Sequence, residues 1–304
     1  MPLFSTIIPV YNRPDLVVET IESVLNQTFK DQEIIVIDDG STDRTPEVLA
    51  RYKDRVRLLR QNNQGLGAAR NNAMAAAAGE YVIFLDSDDL WLPWALERMA
   101  EAIAKHKHPS LVLGAIQSFT NADTVQEIQP APLRDRYYAD YLASWREPAW
   151  LTPSSLAVKR EILQKAGGFF IHRFTHEEND AWLRVSDAPG FVRIDRPVCC
   201  ARREHAGNIS AYSMKNVEGG MYLIDSEGQG KYPGGKARRK ARWSLITMHI
   251  RPVSIGCLNH KESKWAWRLF RRTFGWNLAL LRFRYLAAFP ILAIRERLKG
   301  SRMQ

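Results

Sequence analysis

The stretch VIFLDSDDLW, Val82–Trp91, joins an apolar run directly to three aspartates, Asp86, Asp88 and Asp89. A short uninterrupted apolar run is typical of a strand that is buried on both faces of a parallel sheet. Carboxylates this close together repel one another unless a cation, a basic group or water lies between them. The stretch therefore predicts a buried strand that ends at a charged site.

A short apolar strand followed by a helix recurs through the first third of the chain. Strands that alternate with helices form right-handed βαβ units around a parallel sheet. We therefore predict an α/β fold with a mostly parallel sheet flanked by helices. The predicted strands are 4–10, 33–38, 56–60, 81–85 and 110–116, and the predicted helices are 13–27, 45–52, 65–78 and 93–106.

Polar residues follow three of these strands. Tyr11 follows the first strand, Asp39 the second, and Asp86 and Asp88 the fourth. Because the carboxyl ends of parallel strands share one edge, where ligands of such sheets bind, these three segments are expected to meet at one site. The D-x-D pattern offers oxygen ligands to a hard divalent cation. A solvated turn or a helix N-cap is the alternative interpretation of the same pattern.

Other nucleotide-binding motifs are absent or incomplete. The chain has no Walker loop, and GLGAAR, Gly65–Arg70, lacks the third glycine of a dinucleotide fingerprint and does not follow the first strand. Gly65 and Gly67 are therefore interpreted as a tight entry into a helix. A dehydrogenase or a nucleotidyltransferase stays open as an alternative on this kind of sheet.

Four segments stand in a fixed order along the first part of the chain: TIIPVYNRPDLVVETIESVLNQT, EIIVIDDGSTDRT, NNQGLGAARNNAM and EYVIFLDSDD. Together they closely resemble the N-terminal half of family-2 glycosyltransferases, which are inverting enzymes with the GT-A fold. The resemblance covers about residues 4–115 and continues more loosely to about 210 through GGF, EENDAWLR and REHAGNIS. It implies transfer of a single sugar from a nucleotide-diphosphate donor, a UDP-sugar, to a hydroxyl of a glycan or lipid-linked glycan in cell-surface polysaccharide assembly.

The resemblance also implies which residues bind the nucleotide. Pro9, Tyr11 and Asp39 would line the base, with Asp39 accepting a hydrogen bond from a uracil-like ring N–H. Arg70 would lie beside the base. Taken singly, Asp39 could instead cap the helix that starts at STDRT, and Arg70 could make an ion pair on a helix surface.

The same resemblance implies a metal site for Mg²⁺ or Mn²⁺. Asp86 would lie near the ribose and the metal, and Asp88 would be the principal metal ligand. His205, in REHAGNIS, is a candidate third ligand, although a histidine after a strand is also consistent with a structural role. A bound cation would neutralise the charge that develops on the departing nucleotide.

Inversion requires a base that takes the proton of the acceptor hydroxyl. The family places an acid for this purpose at a helix start resembling EENDAWLR, and the matching position here is Glu178. Glutamate stands where the family usually has aspartate. Asp180, two residues further on, is expected to point elsewhere, because a helix turns about 200° over two residues. Glu177 and Glu178 could instead be first-turn acids that complement the helix dipole.

Positive charge is concentrated near the C-terminus. Residues 231–304 carry 18 Lys/Arg against 2 Asp/Glu, whereas residues 1–230 carry 25 against 31. The Gly-rich, basic segment 227–243 predicts a boundary. We expect a catalytic domain at 1–215, with a nucleotide-sugar half at 1–115 and an acceptor half at 116–215, and a basic helical C-terminal extension at 216–304. Within the acceptor half, a helix is predicted near Asp135–Trp145.

The basic extension predicts contact with an anionic membrane surface. Its most apolar window, 274–294, contains Arg282, Arg284 and Pro290, which argue against a membrane span. A helix near 264–280 has a basic face and an apolar face, the latter formed by Leu269, Thr273, Trp276 and Leu280. That pattern favours a helix in a membrane interface. Packing on the catalytic domain or on a dimer partner is the alternative.

The sequence also predicts where the protein is located and which partners it has. The N-terminus lacks a secretory pattern, and three cysteines do not form a disulfide framework. We therefore predict a cytoplasmic protein at the inner face of the cell membrane, with no nucleic-acid partner, since the tail contains no recognisable nucleic-acid module. A catalytically inactive nucleotide-sugar or membrane-binding protein stays open as the alternative from another class.

Overall fold

The computed structural model describes residues 1–121, 123–171, 175–204 and 213–301, with the side chains of 297 and 299–301 left aside. The strands are β1 Phe4–Val10, β2 Gln32–Asp38, β3 Arg57–Arg60, β4 Tyr81–Phe84, β5 Leu90–Trp91, β6 Leu111–Phe119, β7 Arg134–Tyr138, β8 Leu156–Lys159 and β9 Phe191–Arg203. The helices are α1 Leu16–Leu25, α2 Thr45–Ala50, α3 Leu66–Ala76, α4 Ala95–Lys105, α5 Asp123–Gln126, α6 Arg160–Lys165, α7 Glu177–Arg184, α8 Met214–Gly228, α9 Arg239–Asn259, α10 Ser263–Ala279 and α11 Phe283–Ser301.

The chain divides into two compact units. The first comprises Met1–Tyr141, Trp150–His172 and Val185–Ala206, and the second comprises Leu142–Ala149, Arg173–Arg184 and Gly207–Gln304. The boundary predicted at residues 215/216 between catalytic domain and extension stays a prediction.

A mixed sheet forms the centre of the first unit, with strand order β3-β2-β1-β4-β8-β6-β9-β5 and with β7 paired to β9. Strands β3, β2, β1 and β4 are parallel to one another, and β6 is parallel to β9. Strand β8 runs antiparallel between β4 and β6. The five strands predicted between residues 4 and 116 are all present. Strands β1 and β4 are buried along their whole length, as continuous apolar runs predict, whereas β3, at the edge of the sheet, is only partly buried.

Helices α1 and α4 of the first unit each bury one apolar face. In α1 the buried residues are Val17, Thr20, Ile21 and Val24, which recur every three or four positions as on one side of a helix. In α4 they are Ala95, Leu96, Met99, Ala102 and Ile103. These side chains join the strand residues in one continuous core, which holds the strand ends in place.

The helix predicted near Asp135–Trp145 is wrong. Residues Arg134–Tyr138 form strand β7, which pairs antiparallel with β9, and a short 3₁₀ turn follows at Tyr141–Ser144. Asp135 is buried and accepts hydrogen bonds from Lys105 Nζ at 2.6 Å and His106 Nε2 at 2.9 Å. Pairing with a distant strand and these two bonds to α4 outweigh the local helical pattern.

Helices α7 to α11 build the second unit. The apolar side of α10 packs inside it: Leu269 and Thr273 are buried, and Trp276 stacks on Trp243 of α9 with ring centroids 5.3 Å apart. Most of the apolar face that predicted a membrane helix at 264–280 is therefore used for packing within this unit. Arg282, just before α11, turns inward and donates to the backbone oxygen of Ser244 at 3.0 Å.

A buried ion pair holds the Gly-rich segment that precedes α9. Arg242 Nε donates to Glu227 Oε2 at 2.7 Å and Arg242 Nη2 donates to Glu227 Oε1 at 3.1 Å. Arg242 Nη1 also donates to the carbonyl oxygens of Pro233 and Gly235. The segment at 227–243 is thus tied down by one arginine. In the described part of the chain, no helix is both long and apolar enough to cross a membrane.

Candidate functional site

The carboxyl ends of β1, β2 and β4 lie at one edge of the sheet, because the three strands are parallel and adjacent. Val10 is in register with Asp38, and Ile7 with Phe84. The segments that follow these strands therefore meet, as predicted. Pro9 is buried within β1 opposite Ile37, and Tyr11 is 44% exposed at the same edge.

Arg70 joins helix α3 to the aspartate turn. Its Nη2 donates to Asp86 Oδ1 at 2.8 Å, and its guanidinium lies 5.2 Å from the ring centroid of Phe169. Arg70 is only 2% exposed, whereas the Asp86 side chain is 36% exposed. The ion pair is therefore buried on the arginine side, which excludes the alternative of a pair on a helix surface. Asp86 presents its open side to solvent at the sheet edge.

A second arginine, Arg13, contacts the turn from the loop between β1 and α1. Its Nη1 donates to Asp88 Oδ2 in a close ion pair. The Arg13 backbone N–H donates to Thr45 Oγ1 at 3.1 Å, which fixes the loop on α2. Arg13 was not predicted as a site residue, although its place three residues after the first strand was the available signal.

Asp89 is buried behind the two other aspartates. It accepts hydrogen bonds from Ser154 Oγ at 2.6 Å and from the backbone N–H of Arg203 at 3.0 Å. Arg203 Nε donates to the carbonyl oxygen of Asp88 at 3.0 Å. Burial, and next the charge of Asp86, raise the pKa of Asp89 well above its usual range, and the Ser154 hydrogen bond only partly offsets them. Each of the three aspartates thus has its own hydrogen-bond donors, which explains how they coexist in four positions.

Asp39 binds the start of α3. Its Oδ1 accepts hydrogen bonds from the Gln64 backbone N–H at 2.9 Å and from Gln61 Nε2 at 2.7 Å, and its Oδ2 accepts from the Gly65 backbone N–H at 2.9 Å. Gly65 has a positive φ of 91°, which favours glycine, and the predicted tight entry into α3 is confirmed.

The alternative in which Asp39 caps the helix at STDRT is wrong. The N-cap residue of α2 is Arg44, and it is Asp43 whose Oδ1 accepts a hydrogen bond from the Thr45 backbone N–H at 2.8 Å, at the start of that helix. A carboxylate offers about four lone-pair positions, and Asp39 has three hydrogen bonds. One position is left for a further donor.

The oxygen ligands that Asp86 and Asp88 offer determine which cation they could hold. Mg²⁺ binds through one or two carboxylates and leaves its other positions to water and substrate phosphate. The Asp86 side chain is 36% exposed and the Asp88 side chain 12% exposed, and together they supply two such carboxylates after β4. The pair fits a cation that is completed by a diphosphate. No group of three or more His, Cys, Asp or Glu that could hold a metal is found within the described ranges. His205 lies outside the described residues.

Glu178 is in the second unit, in the first turn of α7. Asn179 Nδ2 donates to Glu178 Oε1 at 3.1 Å and lies 2.8 Å from His176 Nδ1. Burial lowers the pKa of His176 to about 4, so the imidazole is neutral near pH 7 and its Nδ1 accepts from the Asn179 amide. One amide thereby connects a neutral buried histidine to the candidate base.

Asp180 lies in the interior of the second unit. It is buried and accepts hydrogen bonds from Tyr232 Oη at 3.0 Å and Arg184 Nε at 2.7 Å. Its carboxylate is thus part of the packing between α7 and the Gly-rich segment. This agrees with the expectation that Asp180 points away from the side used by Glu178.

Sequence comparison identifies a protein family and several relatives that this chain resembles. The model of the Glycosyl transferase family 2 matches residues 5–167. The Escherichia coli UDP-Glc:alpha-D-GlcNAc-diphosphoundecaprenol beta-1,3-glucosyltransferase WfaP is 46% identical over 222 residues, which cover 71% of this chain and 83% of that protein. An uncharacterized glycosyltransferase of Nostoc sp. is 37% identical over 171 residues. That alignment covers 53% of this chain, which spans only about half, 52%, of that relative's length.

Solved structures share the fold at low sequence identity. S. aureus TarS 1–349 in complex with UDP-GlcNAc has a TM-score of 0.57 at 18% identity, over 89% of this chain and 90% of that one. The mannosyltransferase PcManGT from Pyrobaculum calidifontis, in complex with GDP-Man and Mn²⁺, has a TM-score of 0.52 at 20% identity, over 96% of this chain and 87% of that one. The predicted GT-A-type α/β fold with C-terminal helices is confirmed. On the family match and the Escherichia coli relative, the chain belongs to glycosyl transferase family 2.

Proposed function

We propose that this chain is an inverting, metal-dependent glycosyltransferase that moves one sugar from a UDP-sugar to a hydroxyl of a glycan or lipid-linked glycan. The observation that carries the proposal is the meeting of three chain segments at one sheet edge, where Arg70 pairs with Asp86 and Arg13 with Asp88. Two carboxylates, each paired with a guanidinium group at the same sheet edge, suit a nucleotide diphosphate together with a cation.

Asp39 supports a uridine donor. A carboxylate only accepts hydrogen bonds, so its remaining position selects a base with a ring N–H, as in uracil, over one with a bare ring nitrogen, as in cytosine. Pro9, Tyr11 and Arg70 complete our assignment of the base-binding residues. The Escherichia coli relative is named for UDP-Glc, and TarS was solved with UDP-GlcNAc, which also supports a uridine nucleotide. Guanine likewise has a ring N–H, and PcManGT was solved with GDP-Man.

Asp88 and Asp86 would hold Mg²⁺ or Mn²⁺, and we keep His205 as a candidate third ligand. The cation, when bound, would neutralise negative charge on the diphosphate. Arg13 now donates to Asp88, so it would have to share that carboxylate or shift to a phosphate oxygen when the donor binds. The Mn²⁺ complex of PcManGT supports the assignment of a divalent cation.

Glu178 would act as the base. Its carboxylate would take the proton of the acceptor hydroxyl while that oxygen forms a bond to the anomeric carbon and the bond from this carbon to the UDP oxygen breaks. A single displacement of this kind inverts the anomeric configuration. Asn179, which donates to Glu178 Oε1, would hold the carboxylate in one orientation.

The acceptor is the second substrate of this proposal. The name of the Escherichia coli relative includes a diphosphoundecaprenol-linked acceptor, which supports a lipid-linked glycan here and a role in cell-surface polysaccharide assembly. We place the protein at the cytoplasmic face of the membrane, with its basic extension, 216–304, on the anionic surface. The division into a catalytic domain at 1–215 and this extension belongs to the same proposal.

A screen of nucleotide sugars with and without Mn²⁺ or Mg²⁺, followed by product analysis, tests the proposal. We expect thermal stabilisation by UDP and UDP-sugars that requires the cation and is lost in Asp88→Asn. Incubation with an acceptor should then release UDP and form a β-linked product from an α-linked donor. Binding without any product would favour the inactive binding protein, and stabilisation without a cation would remove the metal from the mechanism.

A further inference from the structure

Exposed apolar side chains are concentrated on the last two helices. Twelve large hydrophobic residues are exposed in the described part of the chain, and seven of them lie between Phe274 and Leu298. Single exposed apolar residues are ordinary on a protein surface, but a contiguous group is typical of an interaction site. The seven are Phe274, Leu278, Leu281, Phe283, Ile291, Ile294 and Leu298.

Helix α11 has apolar side chains on two opposite sides. At 100° per residue, the exposed apolar residues of one side fall within an arc of about 80° on the helix surface. The inner side packs on α10: Phe289 stacks on Phe270 at 4.3 Å, and Tyr285 lies 5.7 Å from the same ring. The outer side therefore does not contribute to this core. The outer stripe, as we call it, consists of Phe283, Ala287, Ile291, Ile294 and Leu298, all exposed.

Arginines border the outer stripe. Arg284 and Arg295 are exposed and follow the stripe on one edge, within about 40° of Ile291 on the helix surface. Helix α10 adds exposed basic residues, of which Arg268 stacks over Trp265 at 5.1 Å and Arg271 lies over Trp267 at 5.9 Å. Apolar side chains beside arginines and tryptophans are the composition of helices that lie in a bilayer interface.

We propose that the outer stripe of α11, with Leu278 near the end of α10 and Leu281 in the turn that follows, is the surface on which this protein docks on an anionic lipid bilayer. The helix lies along the interface, its apolar stripe enters the acyl boundary, and Arg284 and Arg295 contact lipid phosphates. The inference extends the membrane placement in the proposed function from a basic tail to a defined helix face. That face is on α11, whereas the sequence pattern had pointed to α10.

Charge decides between a bilayer and a second copy of the chain as the occupant. The exposed border of the stripe is basic, so two copies joined through it would bring like charges together, which is costly. An anionic lipid surface offers the opposite charge along the whole edge. The bilayer is therefore the partner whose chemistry complements both the stripe and its border.

Flotation of the full chain with vesicles tests the proposal. We expect binding to vesicles of phosphatidylcholine and phosphatidylglycerol, weaker binding to pure phosphatidylcholine, and loss with rising salt. The double variant Ile291→Asp/Ile294→Asp should bind at least tenfold less with an unchanged melting temperature, since the two residues are 67% and 60% exposed. Ile171→Asp, at a residue that is 69% exposed in the first unit, is the matched control and should bind like the wild type.

The remaining outcomes separate the possibilities. A wild type that floats with neither vesicle type, or a double variant that binds as well as the wild type, overturns the proposal. Dimerisation in sedimentation velocity without vesicles, abolished by the double variant, would assign the stripe to a second copy instead. Cation-dependent UDP binding is measured in parallel: its presence in the double variant shows that docking alone was lost, and its absence in a wild type that still floats rejects the proposed function but not the docking surface.

Discussion

Arg203 Nε lies 3.0 Å from the carbonyl oxygen of Asp88, and the Arg203 backbone N–H donates to Asp89 Oδ1 at 3.0 Å. An arginine at the end of β9 thus holds the aspartate turn that follows β4, 115 residues earlier in the chain. Its guanidinium also lies 4.8 Å from the Phe119 ring centroid and pairs with Glu19. The orientation of Asp88 therefore depends on a residue that holds its backbone carbonyl oxygen.

Removing the Arg203 side chain should lower the affinity of the site for a divalent cation. In Arg203→Ala the backbone bond to Asp89 persists, but the bond to the Asp88 carbonyl oxygen is lost. Groups that orient metal ligands typically contribute 10- to 100-fold to metal affinity. We expect a loss of about tenfold or more in Mn²⁺ affinity in the presence of UDP, measured by calorimetry. Arg193→Ala, on the same strand, is the control, and equal affinities in the two variants would contradict the positioning role.

Arg70→Ala should destabilise the first unit. The variant leaves Asp86 without its 2.8 Å partner and a gap beside Phe169. Because Asp86 is 36% exposed and can be rehydrated, we expect a loss of about 1–3 kcal/mol in the free energy of unfolding, less than for a fully buried pair. Arg44→Ala, which breaks the exposed pair with Asp15, should cost less than about 0.5 kcal/mol. Urea unfolding of both variants measures the difference. Equal unfolding midpoints would show that the ion pair of Arg70 with Asp86 does not stabilise the fold.

Glu178→Gln should abolish transfer and leave nucleotide binding intact. Glutamine keeps the size of the side chain and its bond with Asn179 but cannot take a proton. Loss of a general base typically costs about 10²- to 10⁴-fold in rate. Turnover is measured as UDP release with acceptor present, and UDP affinity by calorimetry. Glu177→Gln is the control at the neighbouring position; near wild-type turnover in Glu178→Gln would remove Glu178 from the mechanism.

Stability should fall below neutral pH because of two buried histidines. His176 and His249 have ring centroids 6.0 Å apart, and burial lowers their pKa values to about 4 and about 3. In the unfolded chain they take up protons below their ordinary pKa of 6.5, while the folded protein keeps them neutral. The contribution of these two histidines to stability is therefore fully present above about pH 7 and declines as pH falls toward 4, by about 2 kcal/mol per histidine at pH 5. Asp89, whose pKa is raised, contributes a smaller change in the opposite direction over the same range.

The melting temperature from pH 7.5 to pH 5 measures this loss. His249→Gln should show a smaller decline than the wild type, because one of the two histidines no longer titrates. His260→Gln, at the exposed C-terminal end of α9, should follow the wild-type curve. Parallel curves for His249→Gln and the wild type would show that another group causes the decline.

The parallel strands at the centre of the first unit were predictable because β1 and β4 are buried on both faces. Runs such as FSTIIPV and YVIF have few alternatives to a parallel strand, and the polar residues after them mark one sheet edge. The error at Asp135–Trp145 has the opposite cause. There the local spacing suits a helix, and only the partner strand β9 and the contacts of Asp135 with α4 favour a strand.

Only some of the site residues could be predicted from the sequence. Asp39, Asp86 and Asp88 closely follow strands, so their convergence follows from the topology, whereas Arg70, within α3, was assigned from the family resemblance. Arg13, Ser154 and Arg203 were missed, since each donates to the aspartate turn from far along the chain. No spacing rule connects a residue on β9 with one after β4.

The sequence by itself determined the α/β class, the edge at which the acidic residues gather and the family to which the chain belongs, because these depend on local hydrophobic runs and short motifs. The tertiary structure alone decided which donors hold each aspartate and which helix face of the C-terminal extension stays exposed. Helix α10 and helix α11 both have apolar and basic residues, and composition does not distinguish them. Packing does, because the face of α10 is buried against α9 while the outer stripe of α11 stays exposed.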